Sequence, residues 1–139
     1  MNVYYNPVRT YQGVGSLAVL PQLVRALNPQ KILLLIWDGS VLENRHLKET
    51  AAEFKDILTV RVFASSNPEM YELYEVYSET KNENYELVIA VGGGSVLDVG
   101  KSLCCLYASA VNSVEEMRSL ISDKAYNKPA CKWIGVPTT

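Results

Sequence analysis

Histidine is nearly absent: His46 is the single one in 139 residues. It sits in Glu43-Asn44-Arg45-His46, where charged neighbours mark a solvated helix face. A catalytic Fe²⁺ or Zn²⁺ needs several N, O or S ligands, so these residues alone are not expected to hold one. Cysteine is scarce as well. Cys104, Cys105 and Cys131 are odd in number and lack C-x-x-C spacing. That pattern excludes a disulfide framework and points to reduced thiols in a cytoplasmic protein, with Cys104 and Cys105 as packing residues. Basic residues are not in excess: 13 Lys and Arg face 15 Asp and Glu, for a net charge of −2. Nucleic acid is therefore not an expected partner. No apolar run reaches the length of a membrane-spanning helix, so a membrane is not expected either. The opening Met1-Asn2-Val3-Tyr4-Tyr5-Asn6-Pro7 has neither the charged nor the apolar region of a secretory signal. There is no repeat, low-complexity tract or linker, and the length is that of one ordinary domain.

What is present is an alternation of apolar runs and helical stripes. Residues 3–5 and 8–11 are short strand candidates, separated by Asn6-Pro7. Gly13-Val14-Gly15-Ser16-Leu17-Ala18 leads into a helix ending near Leu27, with Leu17, Leu20, Val24 and Leu27 as its stripe. This hexapeptide matches G-x-G-x-x-A, and Asp38 follows about twenty residues on, as a dinucleotide fingerprint requires. The strand ahead of it is short, polar and broken by proline, so a plain glycine turn into a helix is the preferred reading.

Residues 32–37 are the clearest buried strand, ending in the turn Asp38-Gly39-Ser40. A helix is expected over 43–57, with Leu47, Ala51, Phe54 and Leu58 on one stripe. Residues 60–63 form the next strand. Ser65-Ser66-Asn67-Pro68 closes it and is expected to cap a helix carrying Met70, Leu73, Tyr74 and Tyr77. Residues 81–84 are a polar turn. Ser113 with Glu116 forms a capping box for a short helix through Ile121, residues 123–129 form a loop, and 133–136 form a last strand. Strands alternating with helices give an α/β domain with a mostly parallel sheet and helices on both faces.

The chain is organised around Val88-Ile89-Ala90-Val91-Gly92-Gly93-Gly94-Ser95-Val96-Leu97-Asp98-Val99-Gly100-Lys101. Residues 87–91 are apolar without alternation, which suits a strand buried on both faces. Three glycines allow a sharp turn and close approach to a ligand. Ser95 then opens a helical stripe of Val96, Val99, Leu103 and Leu106. Free amides and the positive dipole end of that helix would sit just past a parallel strand, an anion site of the kind phosphate occupies. Two plainer readings stand beside this one. Ser95 and Asp98 fit a capping box, and a glycine-rich turn can serve packing alone. Asp98 and Lys101 are spaced for a surface ion pair, as an alternative to a ligand role for Lys101.

Gly-Gly-Gly-Ser-x-x-Asp-x-x-Lys after an apolar strand resembles the nucleotide-binding signature of the iron-containing (group III) alcohol dehydrogenases. The closing Ile134-Gly135-Val136-Pro137-Thr138-Thr139 resembles the start of that family's second loop. The two motifs lie at family-like spacing and span essentially the whole chain. The opening Tyr4-Tyr5-Asn6-Pro7-Val8-Arg9, followed by Gly-x-Gly, is similar to the phosphonoacetaldehyde reductase branch.

The resemblance implies a Rossmann-like NAD(P)-binding domain over residues 1–139. Asp38 would accept hydrogen bonds from the adenosine ribose, or act only as a turn-former before Gly39. Asn67 matches the family's Asn-Pro turn. Gly92, Gly93 and Gly94 would hold pyrophosphate through their backbone, with Ser95 and Asp98 completing the signature. Thr138 and Thr139 would donate hydroxyls. NAD is expected over NADP, because Asp38 would repel a 2′-phosphate. The resemblance further implies hydride transfer with a small alcohol or aldehyde substrate, and Fe²⁺ or Zn²⁺ held by a helical C-terminal domain that these residues do not include. It also implies a homodimer to which residues 1–5 contribute. On this reading no residue of the chain is catalytic, and the chain alone is inactive. A dehydroquinate-synthase-like or glycerol-phosphate-dehydrogenase-like enzyme is the nearest alternative. A non-catalytic flavodoxin-like or receiver-like module is a further one.

Overall fold

The computed structural model describes residues 8–123 and 129–138. Four strands, β1 (Ile32–Ile36), β2 (Leu58–Val62), β3 (Leu87–Gly92) and β4 (Lys132–Pro137), form one sheet in the order β2-β1-β3-β4. Every pairing is parallel, and the register sets Ile36 against Val62 on one side and Val91 on the other. Val91 in turn pairs with Val136, so the carboxyl ends of all four strands share one edge.

β1 and β3 are central, and each of their residues is buried, as the unbroken apolar runs require. Alternate side chains feed two cores. Ile32, Leu34, Ile36, Leu87, Ile89 and Val91 face α1 (Leu20–Leu27) and α2 (Arg45–Glu53). Leu33, Leu35, Val88 and Ala90 face α3 (Met70–Thr80), α4 (Gly94–Leu106) and α5 (Val114–Ser122). Removing a Leu or Ile side chain from water is worth about 1.5–3 kcal/mol, so this doubly covered pair of strands dominates the stability. The buried Tyr77 hydroxyl fastens α3 to the segment after α4. It donates to the Ser109 carbonyl at 2.8 Å and accepts from the Val111 amide at 3.2 Å.

The architecture is thus the expected Rossmann-like α/β fold, but several local expectations fail. Among the described residues, 8–12 are not a strand. Residues 3–5 lie outside the described residues. The Gly13 and Gly15 backbones take φ of +116° and +80°, which glycine alone adopts readily, so this pair makes the preferred turn, here into the 3₁₀ segment Ser16–Val19. Leu27, placed on the α1 stripe, is exposed at the helix end.

The helix expected over 43–57 is shorter. Asn44 caps it, its side chain accepting from the His46 and Leu47 amides, and it stops at Glu53. The chain must turn there because Leu58, expected on the helix stripe, pairs with Ile32 as the first residue of β2. The next helix is not capped by Ser65–Pro68. Its N-cap is Glu69, whose amide donates to the Glu72 carboxylate at 2.7 Å. The Ser113–Glu116 cap is present: the Glu116 amide donates to Ser113 Oγ at 3.1 Å, and the Glu116 carboxylate accepts from the Asn112 amide at 2.8 Å.

Candidate functional site

The strand order reverses direction between β1 and β3. The chain steps from β1 outward to β2, then crosses back past β1 to β3. Loops leaving the carboxyl ends of β1 and β3 therefore diverge toward helices on opposite faces and leave a crevice between them, the usual ligand position in an open parallel sheet. The Asp38 turn and the triple glycine border this crevice.

Backbone hydrogen bonds join the loops around it. The Phe63 amide donates to the Ile36 carbonyl at 2.7 Å, and the Trp37 amide to the Val91 carbonyl at 3.3 Å. The Thr138 amide donates to the Gly92 carbonyl at 2.9 Å. The Ser95 hydroxyl donates to the Ser66 carbonyl, tying the loop after β2 to the glycine loop. The structure thus brings the Asp38, Ser65–Asn67, Gly92–Ser95 and Thr138 segments to one sheet edge. Asn67, Asp98 and Thr138 are exposed there. Thr139 lies outside the described residues.

The three glycines do different work. A Cβ on Gly92 would lie 3.0 Å from Cβ and Cγ2 of Val96 and 3.2 Å from Cδ1 of Trp37, and its φ is +157°. Gly92 is therefore required by the chain itself. Cβ atoms on Gly93 and Gly94 would meet nothing within 4 Å among the described residues, and neither has a φ in the left-handed range. Packing and backbone conformation give no reason for glycine at those two positions. Both are open to solvent, beside the amides that begin α4.

Those amides lack a partner from the helix. The first intrahelical bond runs from the Leu97 amide to the Gly93 carbonyl at 3.1 Å, and no side chain caps the N-terminus. The Ser95–Asp98 capping box is therefore absent. α4 begins one residue earlier than expected, at Gly94 with Gly93 as N-cap, and the Ser95 hydroxyl is engaged by Ser66. Uncapped amides and the helix dipole together favour a bound anion. Asp98 is exposed on α4 and makes no ion pair with Lys101; the Lys101 ammonium lies over the Trp133 ring, 5.8 Å from its centroid.

Asp38 forms the turn expected of it before Gly39. Its carboxylate N-caps the 3₁₀ turn Gly39–Glu43, accepting from the Ser40 amide at 3.1 Å and from the Ser40 hydroxyl. It is also exposed at the crevice. The Ser40 hydroxyl, and then its amide, hold the Asp38 carboxyl below the ordinary carboxylate value of 3.8, so it is charged at neutral pH.

Two residues that position the site were not singled out from the sequence. Trp37, expected inside the strand, falls just past β1, is 45% exposed, and rests against Gly92. Gly100 lets α4 lie directly on β3, since a Cβ there would stand 2.7 Å from the Ala90 Cβ. A glycine within a helical stripe was the signal for the second of these.

The iron-containing alcohol dehydrogenase family model matches residues 7–139. The chain belongs to that family. It is 29% identical over 98 residues to NADP-dependent alcohol dehydrogenase 3 of Entamoeba histolytica, covering 70% of this chain and 25% of that protein. It is 32% identical over 99 residues to glycerol-1-phosphate dehydrogenase [NAD(P)+] of Archaeoglobus fulgidus, covering 68% and 26%. Among solved structures, sulfoacetaldehyde reductase from Bifidobacterium kashiwanohense in complex with NAD+ matches with a TM-score of 0.80 at 22% identity, over 100% of this chain and 36% of that one. The chain thus spans about a quarter of the length of the curated relatives it matches. Membership in the family sets aside the flavodoxin-like and receiver-like readings.

Among the described residues no group of three or more His, Cys, Asp or Glu is placed to hold a metal ion. No helix among them is long and apolar enough to cross a membrane.

Proposed function

We propose that this domain binds NAD, in preference to NADP, for an alcohol dehydrogenase or aldehyde reductase whose other parts hold the metal and the substrate. The observation that carries this reading is the pair Gly93 and Gly94. They are glycines that the chain does not need for its own packing, set at an uncapped helix N-terminus on a topological switch point. A nucleotide supplies the hydride acceptor or donor; these residues bind and orient it. The amides of Gly94, Ser95 and Val96 would hold the pyrophosphate, and the crevice lets its oxygens approach the backbone. Asp38 would accept from the ribose 2′-hydroxyl and repel a 2′-phosphate. Asn67, Asp98, Thr138 and Thr139 would complete the nucleotide cleft.

The remaining parts of the proposal rest on the family. A helical C-terminal domain would supply the ligands for Fe²⁺ or Zn²⁺, which would polarise the substrate oxygen as a Lewis acid. The substrate would be a small alcohol or aldehyde, the assembly a homodimer, and the compartment the cytoplasm. Residues 1–139 alone would be inactive. The Archaeoglobus relative favours a second reading, a glycerol-phosphate-type dehydrogenase.

Calorimetric titration of the full-length protein with NAD, followed by a screen of simple aldehydes and glycerol phosphates with added iron or zinc, tests these readings. Tight NAD binding with turnover of simple aldehydes supports the first. Turnover confined to a phosphorylated polyol favours the second. Absence of nucleotide binding overturns both.

A further inference from the structure

Outside the glycine-loop site, the described residues hold a close pair of nucleophilic groups. Cys104, late in α4, and Cys131, directly ahead of β4, are 2% and 9% exposed. Their sulfurs are 3.2 Å apart. The Ala130 amide donates to the Cys104 carbonyl at 2.8 Å, so the two backbones are held together as well as the side chains. Cys104 Sγ also faces the Lys132 carbonyl at 3.6 Å. Cys105 is only half-buried and takes no part in this contact. The pair lies at the start of β4, the end of the sheet away from Thr138, so nucleotide binding makes no use of it.

We propose that Cys104 and Cys131 are a reversible dithiol–disulfide pair, a modification site whose reagent is a small-molecule disulfide. The sulfurs need to approach by only about 1 Å to reach the bonding distance of about 2.05 Å. Cys131 is the entering nucleophile. It is the more exposed of the two, and it lines a cavity of about 660 Å³ shared with Leu27, Pro29, Glu86 and Trp133, through which a small reagent reaches it. The neighbouring Cys104 thiol can turn its proton toward an ionised Cys131. This holds the Cys131 thiol below its ordinary value and raises that of Cys104, so Cys131 reacts first.

In the first step the Cys131 thiolate attacks one sulfur of the reagent, forming a mixed disulfide and releasing one thiolate. Loss of the charge on Cys131 then lets Cys104 ionise to the released base. Its thiolate attacks Cys131 Sγ and expels the second thiolate. In balance, two protein thiols are oxidised to one disulfide, and the reagent is reduced to two thiols. The product fastens α4 to the start of β4 across 27 positions of chain. In a reducing compartment the dithiol is the resting state.

The test uses the reduced full-length protein, incubated with oxidised glutathione and mapped by peptide mass spectrometry under non-reducing conditions. The expected result is a cross-linked pair of peptides carrying Cys104 and Cys131, short of two hydrogens and reversed by dithiothreitol. The same cross-link should persist in Cys105→Ser and be replaced in Cys104→Ser by a stable glutathione adduct on Cys131. The wild-type map decides even where a variant folds poorly. A wild type that keeps both thiols, stops at the adduct, or links Cys105 instead overturns the proposal.

Discussion

Substituting the three loop glycines one at a time should separate nucleotide binding from stability. In Gly92→Ala the new methyl meets Val96 at 3.0 Å and the Trp37 ring at 3.2 Å, on a backbone with φ of +157°. Overpacking of this kind costs about 1–3 kcal/mol, and the unfavourable backbone conformation adds a comparable amount. For a domain of this size each 1 kcal/mol lowers Tm by roughly 3 °C, so Gly92→Ala should melt roughly 6–18 °C below wild type. In Gly94→Ala the methyl meets no described residue and lies in the first turn of α4. The fold should be unharmed or gain at most about 1 kcal/mol from helix propensity. A pyrophosphate packed on that backbone, however, would be pushed away from the amides. Losing one or two hydrogen bonds to a charged group, each worth about 1.5–3 kcal/mol, weakens binding by roughly 10- to 10,000-fold. Thermal melts followed by circular dichroism, alongside calorimetric titration with NAD, read both quantities on the same samples. The reasoning fails if Gly94→Ala binds NAD as well as wild type, because Gly94 would then serve no ligand.

Asp38→Gly should cut the preference for NAD over NADP by at least about tenfold in kcat/KM, since it removes the charge facing the 2′ position; a wild type that prefers NADP refutes the assignment. Because the Asp38 pKa is depressed below 3.8, its stabilising contribution is fully present above the unfolded value and is lost as pH falls through the lower folded value. Cofactor preference should therefore stay flat across the neutral range, and Asp38→Asn should lower stability evenly there, with the difference from wild type shrinking as pH falls into the acid limb of an unfolding profile. Gly100→Ala should destabilise, as the cost of a Cβ 2.7 Å from Ala90, about 1–3 kcal/mol, exceeds the roughly 1 kcal/mol gained in helix propensity. Ala90→Gly should restore part of the loss, and strict additivity in that double-mutant cycle would contradict the contact. Asn44→Ala should cost about 1 kcal/mol in chemical denaturation, by removing the side chain that receives the His46 and Leu47 amides.

The central strands were legible because burial on both faces writes itself into composition: β1 and β3 are unbroken apolar runs. β2 was not. As an edge strand its Leu-Thr-Val-Arg-Val is largely exposed, and Leu58 continued the apolar stripe of α2 at helical spacing. No glycine or proline between 45 and 57 marks the end of that helix, which is set by the pairing of Leu58 with Ile32. The glycine loop was placed correctly, but the role of Ser95 was not. A serine followed three residues on by an acid satisfies the local pattern of a capping box. The Ser66 carbonyl that takes its hydroxyl comes from a loop 29 positions away, beyond the reach of any local pattern. The division of labour among Gly92, Gly93 and Gly94 was likewise invisible, since it depends on Val96 and Trp37 crowding only the first.

The bare contact of Gly100 with Ala90 fixes more than a packing distance. With no branched side chain between them, α4 has little room to roll or slide on β3. The aim of its amino-terminal amides is then inherited from the sheet, much as a barrel is held by its mount. A change at Ala90, buried beneath the helix, would tilt the amides and weaken the proposed nucleotide binding without altering any residue assigned to it. Natural variation in affinity can then enter through the floor of the sheet as readily as through the loop.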